Sequence, residues 1–197
     1  MSIDSVPKKQ QLRYYIKLRV LHVDDNPMLA KLVKKLLSEV SYADFEVVWV
    51  ANMRDALQQL DEESQREATS HSSLSCRWDC ILLDLTLPDS VGAATFEAIY
   101  RNTEAPIVVL TAEHDIEVRA AVVAAGAQDC VFKLEMSSTD VLARSIRFAV
   151  ERYRTIKELR RAVRELEASK ELMEELLRDG GDSNFLHPSL SSRLLKH

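Results

Sequence analysis

The sequence has no apolar run approaching the roughly 20 residues that cross a bilayer. The basic residues near its start, Lys8, Lys9 and Arg13, are not followed by the apolar segment of a secretory signal. Neither a membrane-spanning nor an exported protein is expected from this pattern, and the expected location is cytoplasmic. Positive charge is not in excess either: the net charge is −5 with 29% of residues charged, which argues against direct DNA binding. Cysteine is scarce. Cys76, Cys80 and Cys130 form an odd set without the Cys-x-x-Cys spacing of ordinary zinc sites. Although His71 lies five residues before Cys76, they read as small apolar residues in a reducing compartment. Glycine and proline are missing from Thr139 to Asp179, which removes the usual signals that stop a helix.

What is present is a set of polar residues, each at the C-terminal end of a separate apolar run. Asp24-Asp25 follow Leu18 to Val23, Asp84 follows Ile81 to Leu83, Thr111 follows Ile107 to Leu110, and Lys133 follows Cys130 to Phe132. In an open parallel sheet the carboxyl ends of the strands emerge on one edge, where such folds bind ligands. The five residues are therefore expected to converge. Three crowded carboxylates repel, and a hard divalent cation relieves the repulsion. Mg²⁺ takes one or two carboxylates with water and phosphate oxygens, which leaves a carboxylate free to attack. Asp84, alone on a central strand, is the natural nucleophile, and an aspartate attacking a phosphoryl group yields an aspartyl phosphate.

The stretches Val23-Asp24-Asp25-Asn26-Pro27, Leu82 to Asp89, Val109-Leu110-Thr111-Ala112 and Phe132-Lys133, in this order, resemble the receiver domain of two-component response regulators. The resemblance covers about Arg19 to Arg152. It implies that Asp24, Asp25 and Asp84 hold Mg²⁺, and that Asp84 accepts phosphate from a histidine kinase or phosphotransfer protein. It further implies that Thr111 bonds the phosphoryl oxygen and that Lys133 bridges to it. The only catalysis implied is self-phosphorylation and autodephosphorylation. Thr86 and Glu113, each two residues beyond a site residue, would flank the phosphoryl group. The haloacid dehalogenase type of aspartate hydrolase needs a second acid where Thr86 stands, and is rejected.

The apolar spacing alternates in a βα rhythm, which predicts a doubly wound α/β fold. Its five-stranded parallel sheet is flavodoxin-like, with the order 2-1-3-4-5 that this fold type carries and an extended C-terminal helix. The expected division is an N-terminal extension over 1–17, a receiver over 18–152, a coiled-coil extension over 153–178 and a flexible tail or linker over 179–197. Pro27 suits a first helical turn, and Asn52 can cap a helix near Arg54 to Leu60. The serine-rich stretch 61–78 then reads as a polar insertion loop, more simply disordered or variable than a binding element. Gly126 is placed to end the fourth helix.

Two positions depart from the family pattern. Cys130 stands where receivers commonly carry an inward-turning aromatic, which puts the usual threonine-aromatic relay in doubt. Phe132 shares its sheet face. Leu134 replaces the proline that commonly follows the lysine, so a trans bond or a remodelled loop is expected there.

Beyond the sheet, Ile156, Leu159, Val163, Leu166, Lys170, Met173 and Leu177 alternate by three and four, a heptad seam. Because an isolated charged helix is marginal, a homodimer through Ile156, Leu159, Val163, Leu166, Met173 and Leu177 is predicted. Residues 152–164 carry six basic residues and one acid, whereas 165–175 carry five acids and one base. Antiparallel pairing would match these charges, yet the uncharged g positions Ala162, Ser169 and Leu176 leave the parallel arrangement open. The expected function is a response regulator whose phosphorylation switches the face of fourth helix, fifth strand and fifth helix. The alternatives are the regulatory front end of a cyclase, kinase or phosphatase, or a phosphorylation-independent coiled-coil scaffold.

Overall fold

A computed structural model describes residues 16–69, 78–112, 116–136 and 139–180. Strand β1 (Ile16–Val23) leads through α1 (Pro27–Ser38) to β2 (Ala43–Val50) and α2 (Met53–Thr69). Next come β3 (Cys80–Asp84), two short strands β4 (Thr86–Leu87) and β5 (Ser90–Val91), and α3 (Ala93–Arg101). The chain continues through β6 (Ile107–Thr111), α4 (Ile116–Ala124), β7 (Asp129–Phe132) and a 3₁₀ turn (Lys133–Glu135) to α5 (Thr139–Gly180). The main sheet runs β2-β1-β3-β6-β7, all parallel, which is the expected 2-1-3-4-5 order once the β4–β5 hairpin is set aside.

The sheet is covered on both faces, and so its strands read as apolar runs; every residue of β3 and of β6 is buried. Alternation sends Leu18, Val20, Leu82, Val108 and Val131 to one face, against Val33 and Leu37 of α1 and Leu142 and Ile146 of α5. Leu21, Val23, Ile81, Leu83 and Val109 face the other way, toward Ala56 of α2, Phe96 and Ile99 of α3 and Val122 of α4. Pro27 opens α1 behind the cap of Asn26, whose side chain accepts from the Met28 and Leu29 N–H groups and satisfies two orphan donors of the first turn. After α4 the chain turns at Gly126 (φ +115°), with Ala127 N–H on Val122 O at 2.9 Å and Gly126 N–H on Val123 O at 3.1 Å. This is a Schellman closure. The positive φ favours glycine there, and a Cβ at Gly126 would also stand 2.9 Å from the Tyr100 ring, which would have to shift.

Three expectations are corrected. The N-terminal extension does not reach residue 17, because β1 begins at Ile16. The insertion loop expected over 61–78 is helical as far as Thr69. Its polar residues bond one another along the helix, Gln58 to Glu62 at 2.9 Å and Gln65 to Asp61 at 2.8 Å, while Ser64 bonds back to Leu60 O at 3.1 Å. A polar helix can persist on such i,i+4 pairs, and a reading from burial alone misses it. Residues 70–77, with the four serines, His71 and Cys76, lie outside the described residues. Lastly, Trp78, in the connection just before β3, is not a solvated insertion residue. It is buried, its N–H is accepted by Glu63, and the Arg19 guanidinium lies 4.5 Å over its ring.

The chain divides into two units, Met1–Arg154 and Thr155–His197. In the second, the helical residues Ile156, Leu159, Val163, Leu166 and Met173 are all exposed, as are Leu172 and Leu176 beside the seam. The side chain of Leu177 and residues 181–197 lie outside the described residues. No helix among the described residues is long and apolar enough to cross a membrane.

Candidate functional site

Register alone aligns the polar strand ends. Val23 of β1 stands opposite Leu83 of β3, and Leu83 opposite Val109 of β6. The next residues, Asp24 and Asp84, therefore leave the sheet at one level, and Thr111 ends β6 opposite Phe132, the residue before Lys133. Asp24, Asp25 and Asp84 each offer a carboxylate oxygen within 4.8 Å of the others. Asp24 is fully buried and Asp84 nearly so, whereas Asp25 is exposed. The structure thus brings the three predicted acids together, with Lys133 between two of them and buried Thr111 on the adjoining strand.

Lys133 Nζ donates to Asp84 Oδ2 at 2.6 Å and lies 2.8 Å from Asp24 Oδ2. The first contact is an aligned hydrogen bond. The second is an ion pair only, because Asp24 Oδ2 has no aligned donor. The other Asp84 oxygen accepts from the Thr86 N–H at 3.1 Å, and Asp24 Oδ1 accepts from the Asn26 N–H at 2.8 Å. Burial raises the Asp84 carboxyl above its ordinary value, against the opposing pull of Lys133. Burial alone would lower the Lys133 ammonium, but its close contacts with the Asp24 and Asp84 carboxylates outweigh this and raise it. The two directions are compatible: at Asp84 burial outweighs one neighbouring cation, whereas at Lys133 two neighbouring acids outweigh burial.

The three acids thus share one ammonium, and the buried Asp24 Oδ2 has no aligned hydrogen-bond donor. Oxygen-only donors of this kind suit a hard cation such as Mg²⁺ and not a soft one. Asp24, Asp25 and Asp84 would hold it.

Several residues at the site went unremarked in the sequence. His22, one strand position before Val23, is fully buried 3.9 Å from Asp24 Oδ2 with neither ring nitrogen hydrogen-bonded. Burial lowers it to about 4, against the attraction of Asp24 and with the repulsion of Lys133, so it is neutral at pH 7. Its position inside an apolar run was the available signal. Trp49 donates its indole N–H to the Asp24 carbonyl at 2.7 Å. Asp89, within a quoted motif but given no role there, accepts from the Met53 and Arg54 N–H groups.

At the departures, Cys130 is buried and its thiol is raised by burial. Phe132 lies under the Arg119 guanidinium at 5.7 Å. No peptide bond among the described residues is cis, and the 3₁₀ turn follows the strand in place of the usual proline. Glu113 lies outside the described residues.

The sequence model of the response regulator receiver domain matches residues 20–147. The transcriptional activator protein IrlR of Burkholderia pseudomallei is 30% identical over 116 residues, covering 59% of this chain and 44% of that protein. The chain thus spans less than half the length of this relative. Among solved structures, the signal receiver domain of a Luxo repressor protein from Vibrio parahaemolyticus matches with a TM-score of 0.57 at 24% identity, covering 73% of this chain and 98% of that one. A receiver domain protein from Clostridium thermocellum matches with 0.56 at 18% identity, covering 71% and 98%. At these identities the two structures establish a shared fold.

Proposed function

The chain belongs to the response regulator receiver family, and from that premise we propose that Asp84 accepts a phosphoryl group from a histidine kinase or phosphotransfer protein. An Asp84 oxygen forms the bond to phosphorus as the bond from phosphorus to the donor's histidine nitrogen breaks, and the electron pair leaves with that nitrogen. Such transfers need chiefly alignment and charge neutralisation. The Thr86 N–H and the Lys133 ammonium each hold one Asp84 oxygen, so the carboxylate is oriented before the donor arrives. Lys133 then neutralises charge on the transferred group, and the Thr111 hydroxyl at the end of β6 supplies a donor to it. Bound Mg²⁺ would add positive charge shared between the acids and the phosphoryl oxygens.

The observation that carries this reading is the position of Lys133 Nζ, within 2.8 Å of both Asp84 and Asp24. Acetyl phosphate with Mg²⁺ should label the protein, and Asp84→Asn should abolish labelling while keeping the fold. Labelling retained in Asp84→Asn would refute the assignment of the nucleophile.

The output is a change of the face made by α4, β7 and α5, together with self-association of the second unit. Support for the latter is physical: a lone helix exposing Ile156, Leu159, Val163, Leu166 and Met173 gains most of its stability by burying them. A second copy offers the same stripe. Light-scattering mass with Mg²⁺, before and after beryllium fluoride, tests it. A monomer becoming a dimer assigns assembly to phosphorylation, a dimer throughout makes the coil constitutive, and a monomer throughout overturns the proposal.

A further inference from the structure

We infer that the β2–α2 connection registers the two halves of this site, with Trp49 a positioning residue for the metal-binding acids and Asp89 a positioning residue for the loop that follows Asp84. The inference rests on the phosphoacceptor reading above.

On the first side, the backbone of Asp24 is held at both ends by successive residues of β2. Its N–H donates to Val50 O at 3.1 Å, and its carbonyl accepts the Trp49 indole N–H at 2.7 Å. Trp49 is 41% exposed, so core packing does not account for a tryptophan there. Its N–H reaching over the strand end does. With the carbonyl fixed, the peptide plane between Asp24 and Asp25 is fixed too, and with it the direction in which the two acids leave β1.

On the second side, Asp89 reaches back to the first turn of α2. Its two carboxylate oxygens accept from the Met53 N–H at 2.9 Å and the Arg54 N–H at 3.1 Å. Asn52, the helix's own cap, accepts only the Asp55 N–H, at 2.8 Å. The remaining donors at this positive helix end are thus filled from a loop 35 residues away in the chain. These bonds hold the Asp89 carboxyl below its ordinary value.

The loop so anchored is stiff. Thr86 pairs with Val91 and Leu87 with Ser90, the Gly92 N–H donates to Leu85 O at 2.7 Å, and buried Thr95 bonds Ser90 Oγ at 2.8 Å. Its first member, Thr86, orients Asp84 through its N–H. One segment, 49–54, therefore sets where both the acid pair and the nucleophile's loop sit.

The two anchors should fail differently. Mn²⁺ alone is the probe for metal affinity, followed by its paramagnetic resonance, and acetyl phosphate labelling at rising Mg²⁺ reports the transfer. Trp49→Phe keeps an aromatic ring of smaller size and removes the donor. Losing one such bond predicts roughly fivefold weaker Mn²⁺ binding and a labelling deficit that rising Mg²⁺ removes. Asp89→Ala should leave Mn²⁺ affinity within about twofold yet slow labelling at saturating Mg²⁺ by about tenfold, since small misplacements at a reacting centre are costly. Asp89→Asn, which keeps one acceptor, should recover part of the rate. Faster amide exchange at Thr86 and Gly92 in Asp89→Ala provides a readout independent of phosphorylation.

Variants that melt lower but bind Mn²⁺, exchange and label like the parent would overturn the inference. So would Trp49→Phe and Asp89→Ala each impairing both properties equally. If the parent itself is not labelled, the phosphoacceptor reading fails, and the Mn²⁺ and exchange measurements still decide the two anchors.

Discussion

Replacing Lys133 by methionine keeps most of the unbranched side chain and removes its charge, and in the metal-free protein it leaves two buried carboxylates facing one another. Nζ stands 2.6 Å from Asp84 and 2.8 Å from Asp24, with the lysine side chain 19% exposed and the carboxylates 9% and 0%. Breaking a buried pair by deleting one partner costs about 3–5 kcal/mol. The site opens at the sheet edge, and Asp84 can take up a proton, so about 2–4 kcal/mol is expected. For a chain of this size that lowers Tm by roughly 5–12 °C. Saturating Mg²⁺ supplies the missing charge, and binding at about a hundredfold over Kd adds about 2.7 kcal/mol. The variant should therefore recover more on adding Mg²⁺ than the parent gains. The pH dependence has a definite sign. Because Lys133 is raised above its ordinary 10.5, its stabilisation is fully present below that value and is lost as pH rises through the folded value. The gap between parent and variant should close at alkaline pH. Calorimetry in chelator and in Mg²⁺ decides the matter; an unchanged Tm without metal, or a gap indifferent to Mg²⁺, would refute the reasoning.

Asp84→Asn should melt above the parent at pH 7 without metal. A carboxyl raised by burial binds more protons folded than unfolded, so stability falls as pH rises from the ordinary 3.8 through the folded value. The advantage should vanish below pH 3.8, where the parent is protonated too. His22→Leu should flatten the acid limb of the stability profile. With the folded imidazole lowered to about 4 against an ordinary 6.5, the parent loses stability as pH falls through that window; an unchanged slope would exclude His22 as its source. Leu159→Glu with Leu166→Glu puts charge on the exposed seam and should leave a monomer by light scattering, without altering labelling of Asp84. A persistent dimer would place the interface elsewhere.

The strand ends were legible because a fully covered parallel sheet writes its strands as apolar runs, and any polar residue closing such a run marks the ligand edge. Asp24, Asp84, Thr111 and Lys133 stood out for that reason, as did Pro27 and Gly126 as helix signals. Residues 61–69 were misread because their helix is held by side-chain pairs along its own surface, which leave no apolar period to detect. Trp49 and Asp89 left no readable role, since they act on backbone groups brought near by topology. His22 was hidden by its apolar neighbours, although an imidazole in such a run is unusual enough to mark. The heptad spacing was visible in the sequence, whereas exposed Leu172, which falls outside positions a and d, was passed over.

The most direct measurement is to phosphorylate the protein with its donor or with acetyl phosphate in Mg²⁺, reduce the acyl phosphate with borohydride, and sequence the peptides by mass spectrometry. Reduction converts an aspartyl phosphate to homoserine, which marks the acceptor covalently. Homoserine at position 84, absent when phosphate or Mg²⁺ is withheld, is the predicted result. Homoserine at any other aspartate, or none from a protein whose metal site is loaded, would contradict the account.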